Sequence, residues 1–383
     1  MNGVDERDEA ANPNKPQRNG SGVINGTGAR ANLRERNTRA VLHHLHSVGD
    51  ASRADLARAT GLSRATVSDI VTGLIDRGLV QEKEKPDGGR TGRPATPVSL
   101  DQTSYLVVAL DLSDTRNVYG ALTDLSGRVI TRKADFIGTT RGATAIDRVA
   151  VLAAFLADKA DRPVLGVGVA SPGSIDLEGR FVAEAYYGWN GINLAQLLTE
   201  RLGLTSYVAN DANCAALAEA AFAGARGNYL LALVIGHGIG AGLVLEGRIV
   251  RGSNHAAGEI GHVVADETGL PCGCGRRGCL ETMISLPVLE RLAHDESGLA
   301  EAGWKTGTVL APVIGALNID EVVLVAPPEL VEGPFIASLQ GAITVHTLPA
   351  LSRNLEVRTS SLGREATLAG ACAVVVSNEL GLF

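Results

Sequence analysis

A chain of 383 residues, 45 % hydrophobic and 20 % charged, is long enough for two or three domains and too apolar to be mostly disordered. No apolar run reaches the length of a membrane span and the polar start lacks a signal-peptide core, so a cytoplasmic protein is expected. The net charge of −7 is unevenly placed: residues 1–99 hold 15 Lys and Arg against 12 Asp and Glu, leaving 20 against 30 for the remainder. A mildly basic head before an acidic body suits only the head to a polyanion.

Residues 1–30, rich in Gly, Asn and charge, read as a disordered arm. From Asn32 the pattern turns helical, with Val41, Leu42 and Leu45 on one face and Gly49 as the stop. Ser52 caps a second short helix that Gly61 closes, and Ser63 caps a third in which Val67, Ile70, Val71, Leu74 and Ile75 recur at helical spacing. His43, His44 and His46 read as packing or surface residues, since nothing nearby completes a metal site. Leu79–Lys85 and Pro97–Leu100 can pair as a hairpin, which makes residues 31–100 a winged helix-turn-helix. Ser63, Arg64, Thr66 and Ser68 at the start of the third helix are placed to meet operator DNA in the major groove, and Arg90 and Arg93 at the wing tip to follow the backbone or minor groove.

At residue 101 the character changes. Runs such as YLVVALDL, NVYGALTDL and GRVITRKADF read as consecutive strands, followed by a helix over Ala143–Ala160 and the strand VLGVGVAS. TSYVAN leads into Asp211-Ala212-Asn213 and a helical CAALAEAAFAG, and two strands then flank a glycine-rich turn at Gly236, Gly238, Gly240 and Gly242. A helix near Val309–Leu317, the strand VVLVA, a helix after Pro334 and a closing helix from Ala366 complete an α/β body with a mixed sheet, residues 101–383.

Within Gly258–Glu281 lie His262, Cys272, Cys274 and Cys279, a donor set that suits a closed tetrahedral structural Zn²⁺ site. Cysteines gathered this tightly in a reducing compartment are metal ligands more often than disulfide partners. Cys214 and Cys372, outside the cluster, read as small buried hydrophobes.

The ordered motifs GVGVASPGSID (166–176), YGWNGINL (187–194), NDAN (210–213), IGHGIGAG (235–242) and the GEIGH…CGCGRRGCLE block resemble the ROK family, which joins sugar kinases and sugar-responsive repressors. The resemblance runs from about Asn32 onward and implies an actin-like, hexokinase-like two-lobed body; the winged head matches its repressor branch. It places sugar contacts on Asn210, Asp211, Glu259, His262 and Glu281, with Asp211 in the position of the kinases' catalytic base, and it implies a homodimer or dimer of dimers. Carboxylates accept strongly from the vicinal hydroxyls of a sugar, and zinc would brace the loop that aims Glu259 and Glu281.

The nucleotide side departs from the kinases. Where they carry DxGGT, this chain has Asp111-Leu112-Ser113-Asp114-Thr115, and where they place glycines beside the adenosine it has Ala326-Pro327-Pro328. A fixed carboxylate opposes a phosphate, and proline removes a backbone donor. The expectation is a non-enzymatic repressor of carbohydrate uptake or metabolism genes, with an ATP-dependent sugar kinase bearing a DNA-binding head as the alternative. The segment Thr282–Asn318 also reads as shorter than the family's helical stretch.

Overall fold

The computed structural model describes residues 26–83, 96–114, 116–225 and 228–383. The head holds α1 (Gly26–Val48), α2 (Arg53–Thr60) and α3 (Arg64–Asp76). Of the arm predicted over residues 1–30, the first 25 lie outside the described residues, and α1 begins at Gly26, ahead of the predicted Asn32. That stretch contains no proline, so the backbone ladder extends past the last apolar position.

Both sequence-read caps form. Ser52 and Asp55 make a reciprocal capping box, Gly61 closes α2 in the left-handed region at φ 69°, and Ser63 accepts from Thr66 N. Strands β2 (Val80–Glu82) and β3 (Pro97–Leu100) pair antiparallel as the foot of a wing, with Val80 opposite Leu100. A short β1 (Ala51–Ser52) adds to the other edge of β3, a pairing that two residues gave no periodic signal for. The wing tip, with Arg90 and Arg93, lies outside the described residues.

The body repeats one topology twice. Strands β4 (Leu106–Asp111), β5 (Asn117–Asp124), β6 (Val129–Phe136), β7 (Val164–Ser171) and β10 (Ser206–Asn210) form a sheet ordered β10-β7-β4-β5-β6. Beside it lie α4 (Gly142–Asp158), α5 (Leu194–Leu202) and the ribbon of β8 (Ser174–Ile175) and β9 (Phe181–Ala183). In the second lobe β11 (Tyr229–Ile235), β12 (Ile239–Leu245), β13 (Arg248–Ile249), β14 (Glu321–Val325) and β15 (Glu356–Thr359) are ordered β13-β12-β11-β14-β15. In each sheet the first strand pairs antiparallel with the second and parallel with the fourth.

Between the sheets run α6 (Asp211–Phe222) and α13 (Ala366–Leu380). A Cβ on Gly370 would stand 1.9 Å from Cys214 O, and one on Gly242 of β12 would stand 2.2 Å from Ala212 O. Glycine at both places lets α6 be gripped from two sides at backbone distance. Cys214 and Cys372 are fully buried in this layer, as the sequence reading had them.

The second lobe also carries α7 (Glu281–Ile284), α8 (Leu286–Arg291), α9 (Glu296–Leu317), α10 (Pro328–Val331), α11 (Pro334–His346) and α12 (Pro349–Ser352). The last part of α9 and the helix after Pro334, α11, were expected; α7, α8, α10, α12 and the first part of α9 were not. Gly298, Gly303 and Gly307 break its sequence pattern, yet Cβ atoms on Gly303 and Gly307 would lie 2.1 and 2.4 Å from the backbone of α11. Tertiary packing selects glycine there against helix propensity. Among the described residues no helix is long and apolar enough to cross a membrane.

Candidate functional site

A cleft of about 1510 Å³ opens between the lobes, and Asn210, Asp211, Glu259, His262 and Glu281 all line it. Each comes from the end of a regular element. Asn210 ends β10 and caps α6: its Oδ1 accepts from Asn213 N at 3.0 Å while its Nδ2 donates to Gly173 O at 3.1 Å. Its side chain is therefore a bracket that fixes Asp211 at the first position of the helix.

Burial, followed by the negative charges of Asp111 and Glu259, pushes the Asp211 carboxyl up to about 7. Burial also raises Glu259, with Glu281 adding to the shift and His262 opposing it. Asp111, at the end of β4, is raised by its own burial. The cleft thus holds carboxyl groups that poorly tolerate further negative charge.

Glu259 precedes a single 3-10 turn, Ile260–His262, which sets both side chains at the same loop. His262 Nδ1 lies 3.6 Å from Cys272 Sγ, and Cys274 Sγ lies 3.6 Å from Cys279 Sγ. All four donor atoms fall within 4.8 Å of one another. Bonds of about 2.3 Å to sulfur put the corners of a zinc tetrahedron about 3.8 Å apart, so the cluster can hold a metal ion and its spacing is compatible with zinc. Backbone pairing of Val264 with Cys279 and of Pro271 with Arg277 folds the loop. Gly278 sits at φ 65° where a Cβ would meet Asp266 O at 1.5 Å, so no other residue fits.

Glu281 is joined to this cluster. Its Oε1 accepts from Cys272 Sγ at 3.7 Å and its Oε2 accepts from Ile239 N at 3.2 Å. The glycine-rich turn before Ile239 passes close by, with the Cβ position of Gly238 at 3.2 Å from Glu281 Oε2. The glycine-rich turn here seats a carboxylate.

On the nucleotide side, burial opposes ionisation of Asp114, but bonds from Arg116 N at 2.8 Å, Asn117 Nδ2 at 3.0 Å and Tyr119 Oη at 3.1 Å hold its pKa below the usual carboxylate value. Pro327 lines the same cleft. Thr115 lies outside the described residues.

The motif YGWNG had been noted without roles for its side chains. Buried Glu184 accepts from Tyr187 N at 2.7 Å and Gly188 N at 2.9 Å, and Asn190 Oδ1 accepts from Glu184 N at 2.7 Å. Tyr187 stacks on Trp189 at 4.4 Å and donates its hydroxyl to Leu112 O at 2.9 Å. Tyr186 and Asn190 are thereby presented at the cleft wall. The clue in the sequence was a glutamate four residues before the glycine of a turn, too common a pattern to single out.

In the head, Arg64 is exposed at the start of α3 and Ser68 half-buried one turn on. Ser63 Oγ and Thr66 Oγ1 lie 2.9 Å apart, so both hydroxyls are engaged in the helix cap. The ring of His46 packs against Phe383.

A winged helix-turn-helix joined to a duplicated two-lobed α/β body with carboxylates converging in its cleft defines a regulator built on a sugar-kinase-like fold. The ROK family profile matches residues 107–303 and the MarR family profile residues 35–91. The chain belongs to the ROK family. It is 25 % identical over 379 residues to the DNA-binding transcriptional repressor Mlc of Escherichia coli strain K12, across 89 % of this chain and 93 % of that protein. It is 30 % identical over 260 residues to a glucokinase of Halalkalibacterium halodurans, across 58 % of this chain and 79 % of the relative. The crystal structure of a ROK family transcriptional regulator homologous to the Escherichia coli MLC protein superposes with a TM-score of 0.80 at 23 % identity, covering 91 % of this chain and 98 % of the other.

Proposed function

We propose that the chain is a DNA-binding transcriptional repressor of carbohydrate uptake or metabolism genes, working in the cytoplasm as a homodimer or a dimer of dimers and controlled by a sugar or sugar derivative. The observation that carries this reading is the joining of a winged head to a cleft where Asp211, Glu259 and Glu281 meet. Sugar hydroxyls donate to those carboxylates, and His262 takes part in the contact. In the head Arg64, Thr66 and Ser68 are the base-edge and phosphate contacts of α3, with Ser63 at its cap, and Arg90 and Arg93 serve at the wing.

The ion bound by His262, Cys272, Cys274 and Cys279 is zinc in this reading, and its role is structural. When bound it fixes the loop; the residues of the chain do the recognising. Cys272 touches Glu281, and His262 shares a turn with Glu259, so bracing the loop sets the aim of both carboxylates.

A ligand releases DNA only by its differential affinity for two arrangements of the heads. Closure of the lobes on a sugar alters the spacing of two half-site readers that must sit about one DNA turn apart. The test measures the affinity of the purified protein for DNA upstream of its own and neighbouring genes, alone and with hexoses, pentoses, amino sugars and their phosphates. Binding that one of these shifts is expected, and a protein that ignores every duplex overturns the reading.

One observation favours a second reading, a sugar kinase with a DNA-binding head: Asp211 at about 7 is poised as a general base. Against it stand the fixed negative charge of Asp114 and the proline at 327. Turnover of ATP-Mg²⁺ with any of those sugars decides for the kinase.

A further inference from the structure

A second hollow, of about 380 Å³, lies in the head, lined by Arg53, Ala54, Arg64, Ser68 and Thr96. It forms where the starts of α2 and α3 meet the foot of the wing. Arg64 belongs to the recognition helix, but Arg53 does not; it is the first residue of α2. Its Nη1 lies 2.9 Å from Glu82 Oε1 on β2, and both side chains are partly open to water. Ser52 and Asp55 fix the turn that carries it through their capping box.

We infer that this hollow is a seat for one backbone phosphate of DNA, with Arg53 as its main ligand and Glu82 as a resident competitor for the same guanidinium. The inference rests on the DNA-binding reading and adds a contact outside the recognition helix. A guanidinium has five N–H donors, so one edge can be held by Glu82 while others face an incoming phosphate oxygen. Arg64, Ser68 and Thr96 line the same hollow, and the small side chain of Ala54 leaves room for a phosphate to approach the backbone. Asp55 N and Thr66 N are taken by the caps, the amides before them in each first turn lack intrahelical partners, and the N-terminal end of each helix carries partial positive charge.

Glu82 gives the site a second property. Its carboxylate holds Arg53 in place in the free protein and repels the phosphate that replaces it, which lowers affinity for every duplex alike. A phosphate set in register by correct base contacts overcomes that repulsion; a randomly placed one does so less often. The pair therefore raises discrimination between operator and bulk DNA at some cost in total affinity.

The test uses the full chain and a fluorescent random-sequence duplex titrated at several salt concentrations, with thermal midpoints as the folding control. Arg53→Ala is expected to bind roughly 5- to 10-fold more weakly and to lower the salt slope by about 0.9, the loss of one phosphate contact. Glu82→Gln is expected to tighten binding when Arg53 is present and to leave it unchanged in the Arg53→Ala background. Arg53→Lys keeps the charge without the fork, so it should recover part of the affinity and most of the slope. An Arg53→Ala protein with wild-type affinity and slope overturns the inference. So does an equal gain from Glu82→Gln with and without Arg53, which would reduce Glu82 to a distant charge. A wild-type chain that binds no duplex fails the DNA-binding reading itself, an outcome separate from a binder indifferent to Arg53.

Discussion

Phe383, the last residue, meets His46 of α1 edge-on, with ring centroids 4.9 Å apart and planes at 81°. Its other side packs edge-on against Phe222, at 5.4 Å. Phe222 ends α6, the helix whose first residue is Asp211 in the cleft. Arg39 Nη2 donates to Asn378 O at 3.2 Å nearby, and Leu380 and Leu382 share one apolar cluster with Val41, Leu42 and Leu45. The end of the chain is thus the wedge between head and body.

Removing that wedge should loosen the head before the body. Phe383→Ala is expected to cost about 1–3 kcal/mol, below the range for a fully enclosed Phe because this ring is only half-buried. Hydrogen exchange should speed up in α1 while the strands of the first sheet keep their protection. Unchanged exchange in α1 would show that the head is held by other contacts.

The carboxyl cluster predicts a pH dependence of stability. Asp211 titrates near 7 in the folded chain and near 3.9 when unfolded, so the folded state binds its proton more tightly. That contribution is fully present below the unfolded value and is lost as pH rises through about 4 to 7. Glu259 and Asp111, also raised by burial, act in the same direction. Denaturant unfolding across this window should show Asp211→Asn with a flatter profile than the wild type; identical profiles would remove Asp211 as the source.

Arg358 holds two buried carboxylates, Glu219 at 2.9 Å and Glu321 at 2.6 Å, and so ties α6 to the second sheet. Glu219 is 0 % exposed. Arg358→Ala leaves both without that guanidinium, and a loss of about 3–5 kcal/mol is expected in urea unfolding. Adding Glu219→Gln should recover part of this loss, since a neutral amide is less costly to bury than an unpaired charge. Equal losses in both backgrounds would mean the pair is not coupled.

Metal content tests the loop. The wild-type protein should carry about one zinc per chain, and Cys272→Ser should lose it because three remaining ligands bind far more weakly. The same variant should become sensitive to proteolysis between Gly258 and Glu281. A chain purified without metal, its loop equally resistant, would assign the four residues to packing alone.

What the sequence determined by itself was local. Ser52, Gly61 and Ser63 announced the ends of α2 and α3 because caps act within one helical turn. His262 and the three cysteines lie in one short loop, so a donor set was visible before any fold. The motifs that resembled the ROK family also marked the cleft residues. Tertiary structure alone decided the rest, because the partners are far apart in the chain. Glycines that broke the pattern of α9 are close-approach points against α11, and the glycine-rich turn before Ile239 lies against Glu281. The Arg39 contact with Asn378 spans 339 residues, and the Ser360 contact with Glu219 spans 141. No periodicity or cap encodes such contacts; they exist only once two sheets and the helices between them have buried their apolar faces.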